Sequence, residues 1–274
     1  DRIGSPCPVG VGSAGKAHAP SSYEFALTGF DDVDASRLED GQTLLLRTLR
    51  AARDGSLTIV CISSLRDIAD VMASEPALLR RKVCEVAVQG GLELDPVTKR
   101  YVPDSSTNNG FDPDAARAVY AFCFDNRLPL VVVSRDAVPM LPMQLARSFA
   151  VRSRSPVMAY LAAAQFLGLQ SLWRRLCVGE LPERCTKQWY FATFCGVSAA
   201  DFVARGLDTV GVEATDIINH LDGHVKPYDV LALMAVLPIT RHIFEQLDGA
   251  MHVHDGVTHR LYLRPEHAIP ADIV

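Results

Sequence analysis

The chain has 274 residues, 49% hydrophobic and 22% charged, a balance suited to a soluble globular protein with one large α/β domain or two small ones. Its net charge is −5, and its basic runs are confined to Arg80-Arg81-Lys82 and Arg174-Arg175, so no electrostatic footprint for nucleic acid stands out. No apolar run approaches the roughly twenty residues a membrane span needs, and Asp1-Arg2-Ile3-Gly4 does not open a secretory leader.

Pro8-Val9-Gly10-Val11-Gly12 reads as a short buried strand, followed by a Gly/Ala/His/Pro/Ser-rich loop to Ser22. Leu38 to Arg53 has helical spacing, with Leu44, Leu45, Leu46 and Leu49 crowding one side. Leu57 to Ile62 is a continuous apolar run, suited to a parallel strand buried on both faces. Ser64 is placed to cap a helix to about Ala73, and Pro76 to Lys82 supplies another short helix. Val83 to Val88 is the next strand and ends in Gly90-Gly91. Residues 92 to 105, with Asp95-Pro96 and Tyr101-Val102-Pro103, suggest a hairpin insertion.

Asn108-Asn109-Gly110-Phe111 is a polar loop running into a helix from Asp112 to about Asp125. Asp112 suits the cap, Pro113 the first turn, and Asp114 the positive end of the dipole. Leu128 to Ser134 is a further buried strand, and Ser134-Arg135-Asp136 falls at its carboxyl end. Strands alternating with helices over residues 8 to 150 imply βαβ units. After Ser155 the pattern turns mostly helical. Pro156 to Leu176 is a long apolar helix, Trp189 to Phe194 an aromatic core segment, and Tyr228 to Leu237 a buried helix. Residues 251 to 264 suggest a closing hairpin around Asp255-Gly256.

Other chemistry-bearing residues have plain structural readings. Cys61, Cys84 and Cys123 lie in apolar segments as small core hydrophobes. The seven cysteines include no C-x-x-C pair, and an odd count favours a reducing intracellular compartment. Cys185 and Cys195 could bridge a local loop. Ser198, in Gly196-Val197-Ser198-Ala199-Ala200, reads as a helix cap rather than a nucleophile. His252 and His254 fall on one face of a strand, near His259, without a ligand pattern that completes a zinc site.

The order of these motifs resembles the inosine-uridine-type nucleoside hydrolases. That family has a strand ending in Met-Gly-Gly, an insertion, Glu-Phe-Asn, then Asp-Pro-Glu-Ala-Ala. Here Val86-Ala87-Val88-Gln89-Gly90-Gly91 and Ser106-Thr107-Asn108 precede Asp112-Pro113-Asp114-Ala115-Ala116. Tyr228-Asp229-Val230-Leu231-Ala232 is similar to the family's His-Asp-Pro-Leu-Ala helix start, and Ser63-Ser64-Leu65-Arg66-Asp67-Ile68-Ala69 to its Gly-Pro-Leu-Thr-Asn-Leu-Ala. The likeness runs from about Pro8 to about Pro238. It implies one nucleoside-hydrolase-like α/β domain over 1–274: a mostly parallel sheet flanked by helices, with a βαβ part (1–150) and a mostly helical part (151–274).

The resemblance also implies N-ribosyl hydrolysis through an oxocarbenium-like transition state, assisted by calcium. Asp229 matches a calcium-binding carboxylate, and Arg66 a threonine whose main-chain carbonyl binds the metal. Asn108 matches a ribose-binding asparagine. Ser106 stands where the family has a ribose-binding glutamate, Gln89 where it has a methionine over the sugar, and Tyr228 where a histidine protonates the leaving base. These four are the candidate substrate-binding residues. The family's N-terminal Asp-x-Asp-x-x-x-Asp-Asp motif has no counterpart; Asp31, Asp32 and Asp34 form the nearest acidic cluster. The first strands of the family fold are therefore expected upstream of Asp1 or absent. Three functions follow: a catalytically impaired hydrolase, active only if an upstream segment supplies carboxylates; a non-catalytic subunit whose sheet another chain or segment completes; or a binder of nucleosides or ribose without turnover.

Overall fold

A computed structural model describes residues 7–13, 38–152, 155–181, 183, 185–213, 217, 220, 223–245, 247 and 250–267. Most of the loop to Ser22 and the cluster Asp31, Asp32 and Asp34 lie outside the described residues. The chain groups into two compact units. One comprises residues 7–21, 34–139 and 227–274; the other comprises 1–6, 22–33 and 140–226.

In the first unit, β1 (Gly10–Val11) pairs in parallel with β2 (Glu39–Asp40). Asp40 then caps α1 (Gly41–Ala51) by accepting the Thr43 amide at 2.8 Å. The chain continues through β3 (Leu57–Cys61), α2 (Arg66–Ser74), α3 (Pro76–Lys82) and β4 (Val83–Gln89). A hairpin of β5 (Leu92–Leu94) and β6 (Tyr101–Pro103) follows, then α4 (Thr107–Phe111), α5 (Pro113–Asp125) and β7 (Leu130–Val133). The second unit holds β8 (Leu141–Pro142), α6 (Met143–Arg152), α7 (Pro156–Cys177), α8 (Lys187–Phe194), α9 (Ala199–Ala204) and β9 (His224–Val225). The chain then re-enters the first unit with α10 (Tyr228–Met234), α11 (Arg241–Glu245), β10 (Met251–His254) and β11 (Val257–Tyr262).

The central sheet has the order β10-β11-β7-β4-β3, with only β10 antiparallel to its neighbour. Alternate residues feed two cores. Val86, Val88, Leu130, Val132 and Leu261 pack with α1, α2, α3 and α5. Ala87, Val131, Val133 and Tyr262 pack with Leu231, Ala232, Ala235 and Phe244 of α10 and α11. Burial on both faces explains why β4 and β7 read as near-continuous apolar runs.

These expectations need correction. Cys84 is exposed and Cys61 only partly buried, so of the three cysteines in apolar segments Cys123 alone is fully in the core. The Leu57–Ile62 strand is not buried on both faces: β3 is partly buried and Ile62 is 45% exposed. The strand around Pro8–Gly12 is not buried: Val9 is 60% and Val11 46% exposed, and β1 pairs with β2 outside the main sheet. Ser64 does not cap α2 in the usual sense; Leu65 is the cap residue, although the Ser64 hydroxyl accepts the Arg66 amide at 3.3 Å. The hairpin turns at Asp255-Gly256, both at positive φ. Sequence pattern gave no sign that β11 would lie parallel to β7 inside the sheet.

A buried charge cluster fixes the direction of α10. Arg260 donates to Glu85 at 2.7 Å and to the Ala235 carbonyl, just past the end of α10, at 2.9 Å. Arg241 donates to the other Glu85 oxygen at 3.3 Å. Glu85 lies near the start of β4, and Arg260 sits opposite Val131 near the start of β7. The last turn of α10 therefore lies at the amino ends of the strands. Its first residues, Tyr228 and Asp229, point toward the carboxyl ends.

In the second unit the aromatic segment forms core, as expected. Trp173, Tyr190 and Phe191 are fully buried. Their polar tips are satisfied: Tyr190 donates to the Leu169 carbonyl at 2.7 Å and Trp173 to Gly211 at 2.8 Å. Ser198 caps α9 by accepting the Asp201 amide. Cys185 and Cys195 do not form a disulfide with each other. Among the described residues, no helix is long and apolar enough to cross a membrane.

Removing one partner from a buried ion pair strands the other charge, so Glu85→Ala should lower unfolding stability by about 3–5 kcal/mol. The exposed Arg50–Glu75 pair is the control: Arg50→Ala should leave the urea midpoint essentially unchanged.

Candidate functional site at the carboxyl edge of the sheet

Where β4 ends, its last carbonyls face side chains rather than a further strand. Asn108, on α4, donates its amide to the Gln89 carbonyl at 3.0 Å and to the Gln89 side-chain oxygen at 2.6 Å. The next residue, Asn109, donates to the Gly91 carbonyl at 2.9 Å and to the Asp104 carboxylate at 3.0 Å. Its oxygen accepts the Tyr120 hydroxyl at 3.3 Å. Asn108 is 8% and Asn109 2% exposed, so these bonds form largely without competition from water. Burial raises the Tyr120 pKa far above its usual value, keeping the phenol a donor. A Cβ on Gly91 would collide with the Asp104 carboxylate; the close approach of loop and strand needs glycine there.

Ser106 lies between these anchors. Its backbone amide donates to Asp104 at 2.9 Å, yet its buried hydroxyl has no hydrogen-bond partner. A buried hydroxyl without a partner costs free energy, so a ligand or water that accepts or donates there is favoured.

At the start of α5, Asp112 caps the helix by accepting the Ala115 amide at 3.0 Å, as expected. It also binds Arg66 through two oxygens, at 2.7 and 2.8 Å. A third Arg66 nitrogen donates to Asp70 at 3.2 Å. Asp112, first, and Asp70 raise the arginine pKa further. The guanidinium is therefore drawn into the seam between α2 and α5 and neutralised there.

Tyr228 and Asp229 open α10. Pro227 is the cap residue, which places Asp229 within the first turn rather than at the cap. The residue is exposed, but its carboxyl is desolvated enough to raise its pKa above the usual value. Burial also raises the pKa of Tyr228; Asp136 adds to the rise and Arg135 opposes it. These influences locate Tyr228 beside the turn after β7, where the Ser134 hydroxyl accepts the Asp136 amide at 3.2 Å. Since β4 and β7 are neighbours, both groups of candidates lie on one edge.

Gln89 and Asn108 are thus bonded to each other, Ser106 lies two residues before Asn108 on the same rim, and Tyr228 and Asp229 reach the same edge from α10. The side chain of Arg66 turns to Asp112. Asn109, Asp104 and Tyr120, which build the cluster's foundation, were not singled out from sequence. Asn109 read as loop and Tyr120 fell inside the expected helix from Asp112 to about Asp125; only its hydroxyl hinted at a buried partner. Among the described residues no group of three or more His, Cys, Asp or Glu could hold a metal ion. Calcium takes about six to eight oxygen ligands. The described residues by themselves do not fit it.

Asn109→Ala should leave the buried Tyr120 hydroxyl without its acceptor and strip the Asp104 carboxylate and the Gly91 carbonyl of one donor each, the Gly91 carbonyl keeping the Asp104 amide at 3.0 Å, and lower stability by about 2 kcal/mol. Thermal unfolding of that variant beside Asn108→Ala measures it, the Asn109 change being the larger.

No family model matches the chain. A stretch of 92 residues, 34% of the chain, is 35% identical to the pyrimidine-specific ribonucleoside hydrolase RihB of Escherichia coli, covering 26% of that protein. Across the first such relatives the match spans about a third of their length or less. In structure, the chain aligns with the type III effector protein XopQ complexed with adenosine diphosphate ribose, at a TM-score of 0.64 and 24% identity. That alignment covers 84% of this chain and 62% of XopQ. A second effector structure aligns over 84% of this chain and 61% of its own, at 0.63 and 24%. Over a third of its length this chain is thus similar in sequence to ribonucleoside hydrolases, and its mostly parallel α/β fold is similar to that of the two effector proteins.

Proposed function

We propose that this protein is an N-ribosyl hydrolase relative of the inosine-uridine type that binds a ribosyl group at the carboxyl edge of its sheet and does not turn it over. The observation that carries this reading is the cluster of Gln89, Asn108 and Ser106: two amides locked together and one buried hydroxyl without a partner, at the end of a central strand. A sugar hydroxyl can both accept from and donate to such groups, which suits vicinal ribose hydroxyls. The order of motifs, from Gln89-Gly90-Gly91 through Asp112-Pro113 to Tyr228-Asp229, supports the inosine-uridine subtype.

The groups needed for turnover are weaker. Cleaving an N-ribosyl bond requires a base for water and an acid for the departing nucleobase. Asp229 is the one carboxylate opening α10, and its raised pKa makes it less ready to stay ionised in mildly acidic solution. Tyr228 stands where a proton donor is expected, but a phenol with a raised pKa gives up its proton reluctantly near neutrality. Calcium enters only through Asp229 and the main-chain carbonyl of Arg66, too few donors by themselves, and no step is routed through it. The neutralising pair of Arg66 with Asp112 fits an edge that works without a cation there.

Calorimetric titration with ribose, inosine, uridine and adenosine diphosphate ribose, beside assays of base release with and without calcium, tests the proposal. Saturable binding of at least one ribosyl ligand is expected, weakened about tenfold or more by Asn108→Ala, the loss of one to two polar contacts. No base release above the buffer rate is expected. Steady release of base would overturn the loss of turnover; absence of binding by all four would overturn the site.

A further inference from the structure

The hairpin of β10 and β11 carries three histidines on one face of the sheet. His252 is the cross-strand partner of His259, and His254 lies two residues along on the same side. The intervening Met251 and Val253 are exposed on the other side. His252 and His254 stack with centroids 6.4 Å apart, and His252 lies 6.4 Å from His259. All three rings rest on aromatic neighbours. Phe124 of α5 is 4.6 Å from His259 and 5.6 Å from His254, and Tyr101 of β6 is 4.9 Å from His252.

His259 is fully buried, and its Nδ1 accepts the Leu130 amide at 3.2 Å. That bond fixes the tautomer: Nδ1 bears the lone pair, so Nε2 bears the hydrogen. Nε2 has no partner. As a protonated nitrogen it cannot ligate a metal, consistent with the absence of a metal-holding group among the described residues. Protonation of His259 would place a second hydrogen on Nδ1, facing the Leu130 N–H, and break the bond.

Little nearby charge would compensate. On the elements packed against the cluster, Arg100, beside β6, faces Asp125 of α5 across 3.9 Å at the surface. Asp114 and Arg117 pair with each other near the start of α5. β7 contributes no ionisable side chain, and Arg260 of β11 is engaged with Glu85 on the opposite face. Asp255 lies in the hairpin turn.

We propose that this hairpin tip is a proton-operated clasp, closed over Phe124 and Tyr101 while the buried His259 is neutral and opened when that ring takes up a proton. The apolar contacts and the Leu130 bond hold it shut, and a charged His259 without a compensating partner forces it open. Burial, and then the fields of His252 and His254, depress the pKa of His259 to about 4. Burial and then His254 lower that of His252. An opened His259 would return to about 6.5. The open form thus binds more protons between those values, and closure, complete above pH 6.5, is lost progressively toward pH 4. For His259 alone the linkage gives about thirty-fold more opening at pH 5 than at pH 8.

Hydrogen exchange of the full chain at pH 5 and pH 8, corrected for intrinsic rates, tests the clasp. Peptides covering 251–259 and 124–130 should show that thirty-fold gain in opening, while α7 changes by less than about threefold. Unchanged exchange at the hairpin, or an equal gain in α7, would overturn the clasp. Proton NMR of the histidine rings gives a second readout. One ring should remain neutral at pH 5, and the double variant His252→Gln/His254→Gln should raise its midpoint. Three rings titrating together near 6.5, or a midpoint unmoved in the variant, would also overturn it.

Discussion

The amides of Asn108 and Asn109 hold the molecule's chemistry in place. A parallel strand that stops at the edge of its sheet leaves carbonyls with nothing to bond. Here two consecutive asparagines close the Gln89 and Gly91 carbonyls and bring the following helix against the strand end. Asp104 and Tyr120 complete the arrangement from either side. With water largely excluded, each bond is stronger and each missing partner more costly. The polar segment is thereby a rigid rim, and the buried hydroxyl of Ser106 on it has no partner.

Charge is distributed so that the two edges of the sheet differ. At the amino edge, Glu85 bonds with Arg260 and Arg241 and anchors the end of α10. At the carboxyl edge, Arg66 is consumed by Asp112 and Asp70, which ties α2 to the start of α5. An arginine free to face the rim would set a strong positive field there; paired, it does not. The direction of α10, set by the amino-edge cluster, is what delivers Tyr228 and Asp229 to the rim. Removing that anchor would loosen a site on the opposite edge of the sheet.

Much of the central architecture was legible because burial on both faces writes itself into β4 and β7 as apolar runs; the apolar run of β3 marked a strand, though one only partly buried. The start of α5 was equally plain, since Asp112 and Pro113 each have one good place in a helix. Contacts between distant residues were not legible. Nothing local in Arg66 announces a partner 46 residues away. Likewise β11 carries no mark of its parallel pairing with β7, which depends on where the intervening chain returns. Val9 and Val11 read as buried because apolar residues beside glycines suit a core strand, but among the described residues β1 pairs with a two-residue segment outside the main sheet. Asn109 was hidden by its neighbour: a pair of asparagines before glycine looks like a turn, and only the fold shows both side chains turned inward.

The account rests on the Asn108 cluster being a preorganised seat for a ribosyl group. Side-chain amide resonances in two-dimensional NMR, followed while ribose or adenosine diphosphate ribose is added to the full chain, test this most directly. The Asn108 and Gln89 amide signals are expected to shift in a saturable way, with the histidine rings of the hairpin unaffected. Signals at Asn108 and Gln89 that stay still while others move, or a spectrum that does not change, would contradict it.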